Sequence, residues 1–220
     1  MKNLKVVKLV EIILIGDSGH AKVIRECVES NGYKIVAILD DKYQGIYFEN
    51  EVLKGPIDEL VYELIKKNDR KLVISIGDNE IRKRIVNRLA LPDDSYASIL
   101  HNNTLISNTA KIGVGTVVMP GVVVNADTQI GDHCIVNTNT VVEHDCIIDD
   151  FVHFSPNCTI TGGVKVEEGV HLGAGSTVIP LKEIMKWTIV GAGSVVIDNL
   201  PSYCTAVGIP AKPIKFHELQ

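Results

Sequence analysis

The sequence predicts an α/β domain followed by a parallel β-helix. Three observations carry this. Near the N-terminus, apolar strand-type runs end in glycine and lead into helix-patterned segments. Leu91-Pro92-Asp93-Asp94 then punctuates the chain. From Ile106 to Val196 every sixth residue is bulky and apolar: Ile106, Ile112, Val118, Val124, Ile130, Val136, Val142, Ile148, Phe154, Ile160, Val166, Leu172, Val178, Ile184, Val190 and Val196. A period of six fits neither a helix nor an alternating strand. It fits a solenoid in which each hexapeptide is one side and three sides close a coil of eighteen residues.

The first domain reads in order as follows. Val10 to Ile15 is a strand that ends at Gly16. Gly16-Asp17-Ser18-Gly19-His20 is a turn, and the segment from Ala21 has helical spacing, stopped at Gly32. Glycines in such a turn let the backbone approach a phosphate, and the helix N-terminus favours an anion. The spacing is GxxGH, not GxGxxG. Lys34 to Leu39 is the second strand, ending in Asp40-Asp41, where a Rossmann-like site meets the ribose or base. Lys42 to Pro56 reads as loop or short edge structure, and Ile57 to Lys67 as a modest helix. Lys71 to Ile76 is a third strand, followed by Gly77-Asp78-Asn79 and the helical EIRKRIVNRLA. Tyr96 to Leu100 is a last strand or connector. About four strands suit a mononucleotide better than a dinucleotide. The boundary falls near residue 98, giving domains 1–98 and 99–220.

A second column supports the coil. The residue two before each apolar position is usually small or β-branched, as at Thr116, Thr128, Cys134, Thr140, Cys146 and Cys158. Narrow corners need compact side chains. Lys182 breaks the column, and an altered turn is expected there.

Composition narrows the function classes. The chain has 220 residues, 45% of them hydrophobic, and a net charge of −5 with no basic run, which argues against nucleic acid as a partner. Its five cysteines, Cys27, Cys134, Cys146, Cys158 and Cys204, form no CxxC pair and read as small buried hydrophobes of a reducing compartment. MKNLKVVKLVEIILIG is broken by Lys8 and Glu11 and reads as a strand, not as a signal peptide or membrane span. The expected location is the cytoplasm, with no membrane insertion.

The interior of a β-helix is filled by its apolar column, so a site must lie on its faces or between copies. The chemical candidates are its histidines: His133, His144, His153 and His171. His144 stands between Glu143 and Asp145, and a neighbouring carboxylate raises imidazole basicity, as a general base requires. Eighteen residues on is Gly162, which leaves room beside His144 and offers a backbone N–H to an oxyanion. His153 and His171 are also eighteen apart and should stack at roughly 4.8 Å. A three-histidine zinc site would need His144, His153 and His171 to converge across an interface. Nothing in the spacing demands it, and no metal is expected.

The motifs GDSGHAKVI, ILDD, SIGDNEIRKRI, VVEHDCIIDDFVHFSPNCTITGG and VGAGS with VGIPAK, together with the hexapeptides, resemble the PglD/NeuD group of bacterial sugar acetyltransferases. The likeness covers nearly the whole chain. It implies a homotrimer, a Rossmann-like first domain, a left-handed β-helix, and acetyl-CoA held between adjacent β-helices. It implies His144 as general base, oriented by Asp145 where some members have Glu, or by Glu143, and His153 as a second histidine near the acceptor. Gly16, Ser18, Gly19, His20, Asp40, Asp41, Gly77 and Asn79 match positions lining the nucleotide site. Gly173, Gly191, Ile209, Pro210 and Lys212 match the region that meets CoA, and the N–H of Gly162 or Gly173 would hold the oxyanion. The implied reaction is N-acetylation of the 4-amino group of a UDP-linked amino-deoxy sugar of the bacillosamine type. The alternatives are O-acetylation of sialic acid or a related hydroxyl, and a non-catalytic nucleotide-sugar binder.

Overall fold

A computed structural model describes residues 10–67 and 70–217. The expected lead-in of residues 1–9 to the first strand lies outside the described residues.

The first domain alternates strand and helix. Its elements are β1 (Glu11–Ile15), α1 (Gly19–Ser30), β2 (Lys34–Leu39), β3 (Tyr47–Glu49), β4 (Val52–Gly55), α2 (Ile57–Ile65), β5 (Arg70–Ile74) and α3 (Asn79–Leu89). The sheet has the order β3-β4-β2-β1-β5, with β1, β2, β4 and β5 parallel. Ile12 to Ile15 are fully buried because helices cover both faces of a parallel sheet. The strand count is corrected here. The stretch read as loop or short edge structure holds the antiparallel hairpin β3–β4 at the sheet edge, so the sheet has five strands rather than about four. Its two-residue turn puts Asn50 and Glu51 at positive φ, 48° and 65°, as a type I′ turn requires. Glu in place of the usual glycine hid that turn from the sequence.

The C-terminal strand of the first sheet is shared out. Tyr96 bridges to Leu72 of β5, whereas Ile99–Leu100 (β6) pairs with Val117–Val118 of the coil. The chain therefore passes from sheet to coil between these residues.

From β6 onward, two-residue strands wind round three flat faces. Face one carries Ile99, Val117, Ile135, His153, His171 and Ile189 as successive outward residues, and the hairpin of Cys204–Gly208 and Ala211–Phe216 closes it. Face two carries Leu105, Val123, Val141, Thr159, Thr177 and Val195. Face three carries Lys111, Gln129, Ile147, Lys165 and Glu183. Every register from Ile99 to Val196 is eighteen residues, as in Ile135↔His153 and His153↔His171. The apolar column points inward and is buried from Val118 to Val196. The small-residue column is buried too, and its hydroxyls are satisfied on coil carbonyls: Thr116 donates to Gly131 at 2.8 Å and Thr128 to Glu143 at 2.6 Å. The altered turn expected at Lys182 is absent. The register Lys165↔Glu183 runs through it, with Leu181 in the left-handed turn conformation that recurs at these corners. A half-exposed Lys182 avoids the corner by keeping its ammonium in water.

The first domain sits on face one. Ile12, Leu14, Ile24, Cys27 and Val28 share one core with Ile99, Val117 and Met119. Each coil buries three apolar-column residues in a narrow cross-section, and Phe154 is the largest residue of the column. Phe154→Ala is expected to cost about 3–5 kcal/mol, read from chemical denaturation, since Phe154 is fully buried and its layer has nothing to collapse with.

Candidate active site

Two groups of functional side chains lie on different sides of the coil. His144 follows face two and precedes face three, so it stands at the vertex opposite face one. Asp145 takes φ 59° at this corner, which turns its short side chain back toward the ring. Its Oδ2 lies 2.7 Å from His144 Nδ1. Of the two carboxylates it is Asp145 that meets the ring, and Glu143 acts on it only through its charge. A hydrogen bond to Asp145 raises the His144 pKa above the ordinary value; slight desolvation opposes it, and the charges of Asp145 and Glu143 add to it. With Nδ1–H committed to the carboxylate, Nε2 is the free basic nitrogen.

Gly162 stands against this ring. A Cβ there would lie 2.7 Å from His144 Cε1 and Nε2. Its N–H makes no hydrogen bond among the described residues, whereas the N–H of Gly173 is spent on Val190 O at 2.7 Å. Gly173 is therefore not an oxyanion donor, because the coil ladder already uses it. Gly191 likewise donates to Ala206 O at 2.8 Å. Ile209 and Pro210 are exposed at the hairpin tip, and Lys212 pairs with Asp198 at 2.8 Å.

The second group lies where the first domain meets face one. Gly16 ends β1 at φ +105°, and a Cβ would strike Ile76 at 2.7 Å, so only glycine fits this turn. Ser18 and Gly19 are exposed at the start of α1. His20 lies 5.9 Å from His153, centroid to centroid. His153 stacks on His171 at 4.7 Å and 3°, the spacing expected of one coil on the next. His153 Nδ1 donates to Gly77 O at 3.0 Å, so its Nε2 is an acceptor, 3.5 Å from Asn137 Nδ2. Ser155 Oγ meets His171 Nε2 at 2.9 Å. Burial, then the neighbouring His171, Arg82 and His20, holds the His153 pKa down at about 3. Burial and Arg82 hold that of His20 at about 4. Both imidazoles are held neutral; His153 acts through its hydrogen bonds, whereas the buried His20 Nε2 has no partner among the described residues.

The acidic pair divides. Asp40 accepts from the Asp17 N–H at 2.8 Å and stays at the glycine turn. Asp41 turns away to Arg88 of α3, at 2.8 and 3.1 Å. Asn79 does not line the turn: its Nδ2 donates into the coil, to Gly169 O at 3.0 Å and Val170 O at 3.1 Å. The sequence reading missed Asp17. Its carboxylate is held by Arg25, Tyr43 and Lys54, and its carbonyl by Lys42. Asp17 sits inside the GDSGH motif, but its partners come from α1, from the segment before β3 and from β4. His133 is buried between Tyr96 and Phe151, a packing role. Among the described residues no three His, Cys, Asp or Glu side chains are grouped to hold a metal. His144 is separated from stacked His153 and His171 by the width of the coil.

Comparison with known proteins matches this arrangement. The PglD N-terminal domain family matches residues 11–89, and the bacterial transferase hexapeptide family (six repeats) matches residues 127–162. A histidine-to-asparagine mutant of perosamine N-acetyltransferase from Caulobacter crescentus, solved with CoA and GDP-perosamine, superposes with a TM-score of 0.84 at 35% identity, covering 93% of this chain and 97% of that one. The chain belongs to the PglD-type sugar N-acetyltransferase family. Its coil is the left-handed β-helix of that family. The acetyltransferase domain of PglB from Neisseria gonorrhoeae, in complex with acetyl coenzyme A, has a TM-score of 0.84 at 31% identity, covering 94% of this chain and 100% of that one. UDP-N-acetylbacillosamine N-acetyltransferase from Bacillus subtilis is 43% identical over 110 residues, which are 49% of this chain. That aligned stretch spans only 50% of the curated relative's length.

Two outcomes are expected from the His144 geometry. Gly162→Ala should lower turnover about tenfold or more by displacing the ring. Thermal stability should hardly change, because the exposed ring can swing aside. Asp145→Asn should move the acid limb of the kcat/KM–pH profile to lower pH. The base works deprotonated, so activity rises through the His144 pKa, and losing the carboxylate lowers that pKa toward the ordinary value of about 6.5.

Proposed function

We propose that this chain is an acetyl-CoA-dependent N-acetyltransferase acting on the 4-amino group of a UDP-linked amino-deoxy sugar of the bacillosamine type. The observation that carries the reading is the His144–Asp145 pair at 2.7 Å with Gly162 leaving space over its free nitrogen. Relatives solved with CoA and GDP-perosamine, or with acetyl coenzyme A, support the two substrates. The identity to the Bacillus subtilis enzyme supports UDP and the bacillosamine-type acceptor.

The nucleotide binds at Gly16, Ser18, Gly19, His20, Asp40 and Gly77, where the N-terminus of α1 faces the diphosphate. The sugar amine points at His144 Nε2, with His153 beside the acceptor. Nitrogen attacks the thioester carbonyl while His144 takes the amine proton. The Gly162 N–H stabilises the tetrahedral oxyanion, and CoA leaves as thiol with a proton returned by the imidazolium. CoA runs along the groove toward Gly191, Ile209, Pro210 and Lys212.

This chemistry needs more than one copy. His144 stands at the vertex opposite the face that carries His153 and the nucleotide turn, so one chain cannot bring them together. Face two offers the contact. Its outward row of Leu105, Val123, Val141, Thr159, Thr177 and Val195 has no charge, whereas face three presents Lys111, Lys165 and Glu183. A homotrimer closed around face two sets the His144 vertex of one copy beside face one of the next. The reading places the enzyme in the cytoplasm, where acetyl-CoA and nucleotide sugars are found and its free cysteines stay reduced. No helix among the described residues is long and apolar enough to cross a membrane.

The test is thiol release from acetyl-CoA with a UDP-linked 4-amino-4,6-dideoxy sugar, its GDP-linked counterpart, and sialic acid. Turnover with the UDP sugar is expected, and His144→Ala should lower it about 10²–10⁴-fold. Turnover with sialic acid alone would overturn N-acetylation.

A further inference from the structure

Arg82 on α3 is 1% exposed, and no carboxylate touches it among the described residues. A guanidinium has five N–H donors. Here they meet His133 O at 2.7 Å, Ile76 O at 3.0 Å, Gly77 O at 3.3 Å, Asn79 Oδ1 at 2.8 Å and Phe151 O at 2.9 Å. Two of these oxygens belong to successive coils, and two to the loop after β5. The coil oxygens are available for a geometric reason. At the vertex between faces three and one, the ladder bonds run from Phe151 N to Asp132 O and from Gly169 N to Asp150 O. The carbonyls of His133, Phe151 and Gly169 are left without a coil donor. Arg82 answers the first two, and Asn79 answers the third.

The loop end of this clamp is functional. Gly77 O accepts from Arg82 and also from His153 Nδ1 at 3.0 Å. One carbonyl thus ties the nucleotide-side loop to a histidine of the coil.

We propose that Arg82 is a positioning residue for acetyl transfer: it fixes the first domain in register on face one, so that an acceptor held by its nucleotide arrives at the base. The inference rests on the N-acetyltransferase reading above. A lysine carries one compact ammonium and cannot span two coils and the loop at once. Each substrate site would survive its introduction, because neither includes Arg82, but the distance between them would drift. A misplacement of about 1 Å remote from the chemistry can cost about 10²-fold in rate.

The experiment compares wild type with Arg82→Lys and Arg82→Met, at a temperature where circular dichroism shows the variants folded. For Arg82→Lys, kcat with the nucleotide amino sugar should fall about 100-fold. Its KM values for acetyl-CoA and for the nucleotide sugar should stay within about twofold of wild type. The free amino sugar, which lacks the nucleotide handle, should be acetylated equally slowly by wild type and variant. A lowered melting temperature with unchanged kcat would overturn positioning and leave Arg82 structural. So would a raised nucleotide-sugar KM at unchanged kcat, which would place Arg82 in the nucleotide site. If wild type itself turns over no nucleotide amino sugar, the parent reading fails and this inference falls with it. Should Arg82→Met not fold, the Arg82→Lys kinetics decide alone.

Discussion

A guanidinium buried among carbonyls, with no counter-ion among the described residues, joins the two halves of this molecule. Burying an unpaired cation is costly unless every donor is answered. Arg82 answers all of its own, and in doing so it depends on both domains being present and in place. Burial still pulls its pKa down to about 10, so it stays charged at neutral pH. Around it, Lys83 reaches Glu168 at 2.5 Å and Asn31 reaches Leu100 O at 2.9 Å, which tie the two sides further. The interface is polar where it must be specific and apolar where Ile12, Leu14 and Met119 pack.

The six-residue period has a second consequence. It repeats chemistry as well as shape, because any two residues eighteen apart stand one above the other. His153 and His171 stack for this reason, and Gly162 faces His144 for the same one. A three-sided coil also separates what lies on different sides. His144 occupies one vertex, and His153 and His171 occupy the opposite face. In the reading proposed above, a fold that cannot form an internal pocket would place its site between copies, and the uncharged face two is where copies would meet.

Much of this was legible in the sequence. The apolar column from Val118 to Val196, the glycine turn at Gly16–His20 and the stacked pair needed only spacing. The rest depended on partners distant in sequence. Nothing in Tyr47–Gly55 announced a hairpin, because its turn uses Asn50-Glu51 in place of a glycine pair. EIRKRIVNRLA reads only as helical, and it takes the docked coil to show that Arg82, and Asn79 just before the segment, face inward. For the same reason Asn79 was expected at the nucleotide and stands instead in the coil interface. Asp17 lay within a motif already singled out, yet its role comes from Tyr43 and Lys54 on a neighbouring segment. Whether Asp145 reaches His144 turned on a backbone angle, φ 59°, that the sequence does not display.

The central claim is that one copy supplies the base and its neighbour supplies the nucleotide. Mixing two inactive variants tests it most directly. His144→Ala lacks the base. Gly19→Asp sets an anion at the start of α1, where a new Cβ meets nothing within 4 Å, so the fold tolerates it while the phosphate does not. Each should be inactive alone. Dissociated, mixed in equal amounts and reassembled, they should regain about a quarter of wild-type turnover, the statistical share of intact sites in a cyclic trimer. No recovery from mixed oligomers would show that base and nucleotide site act within one chain, and the account would be wrong.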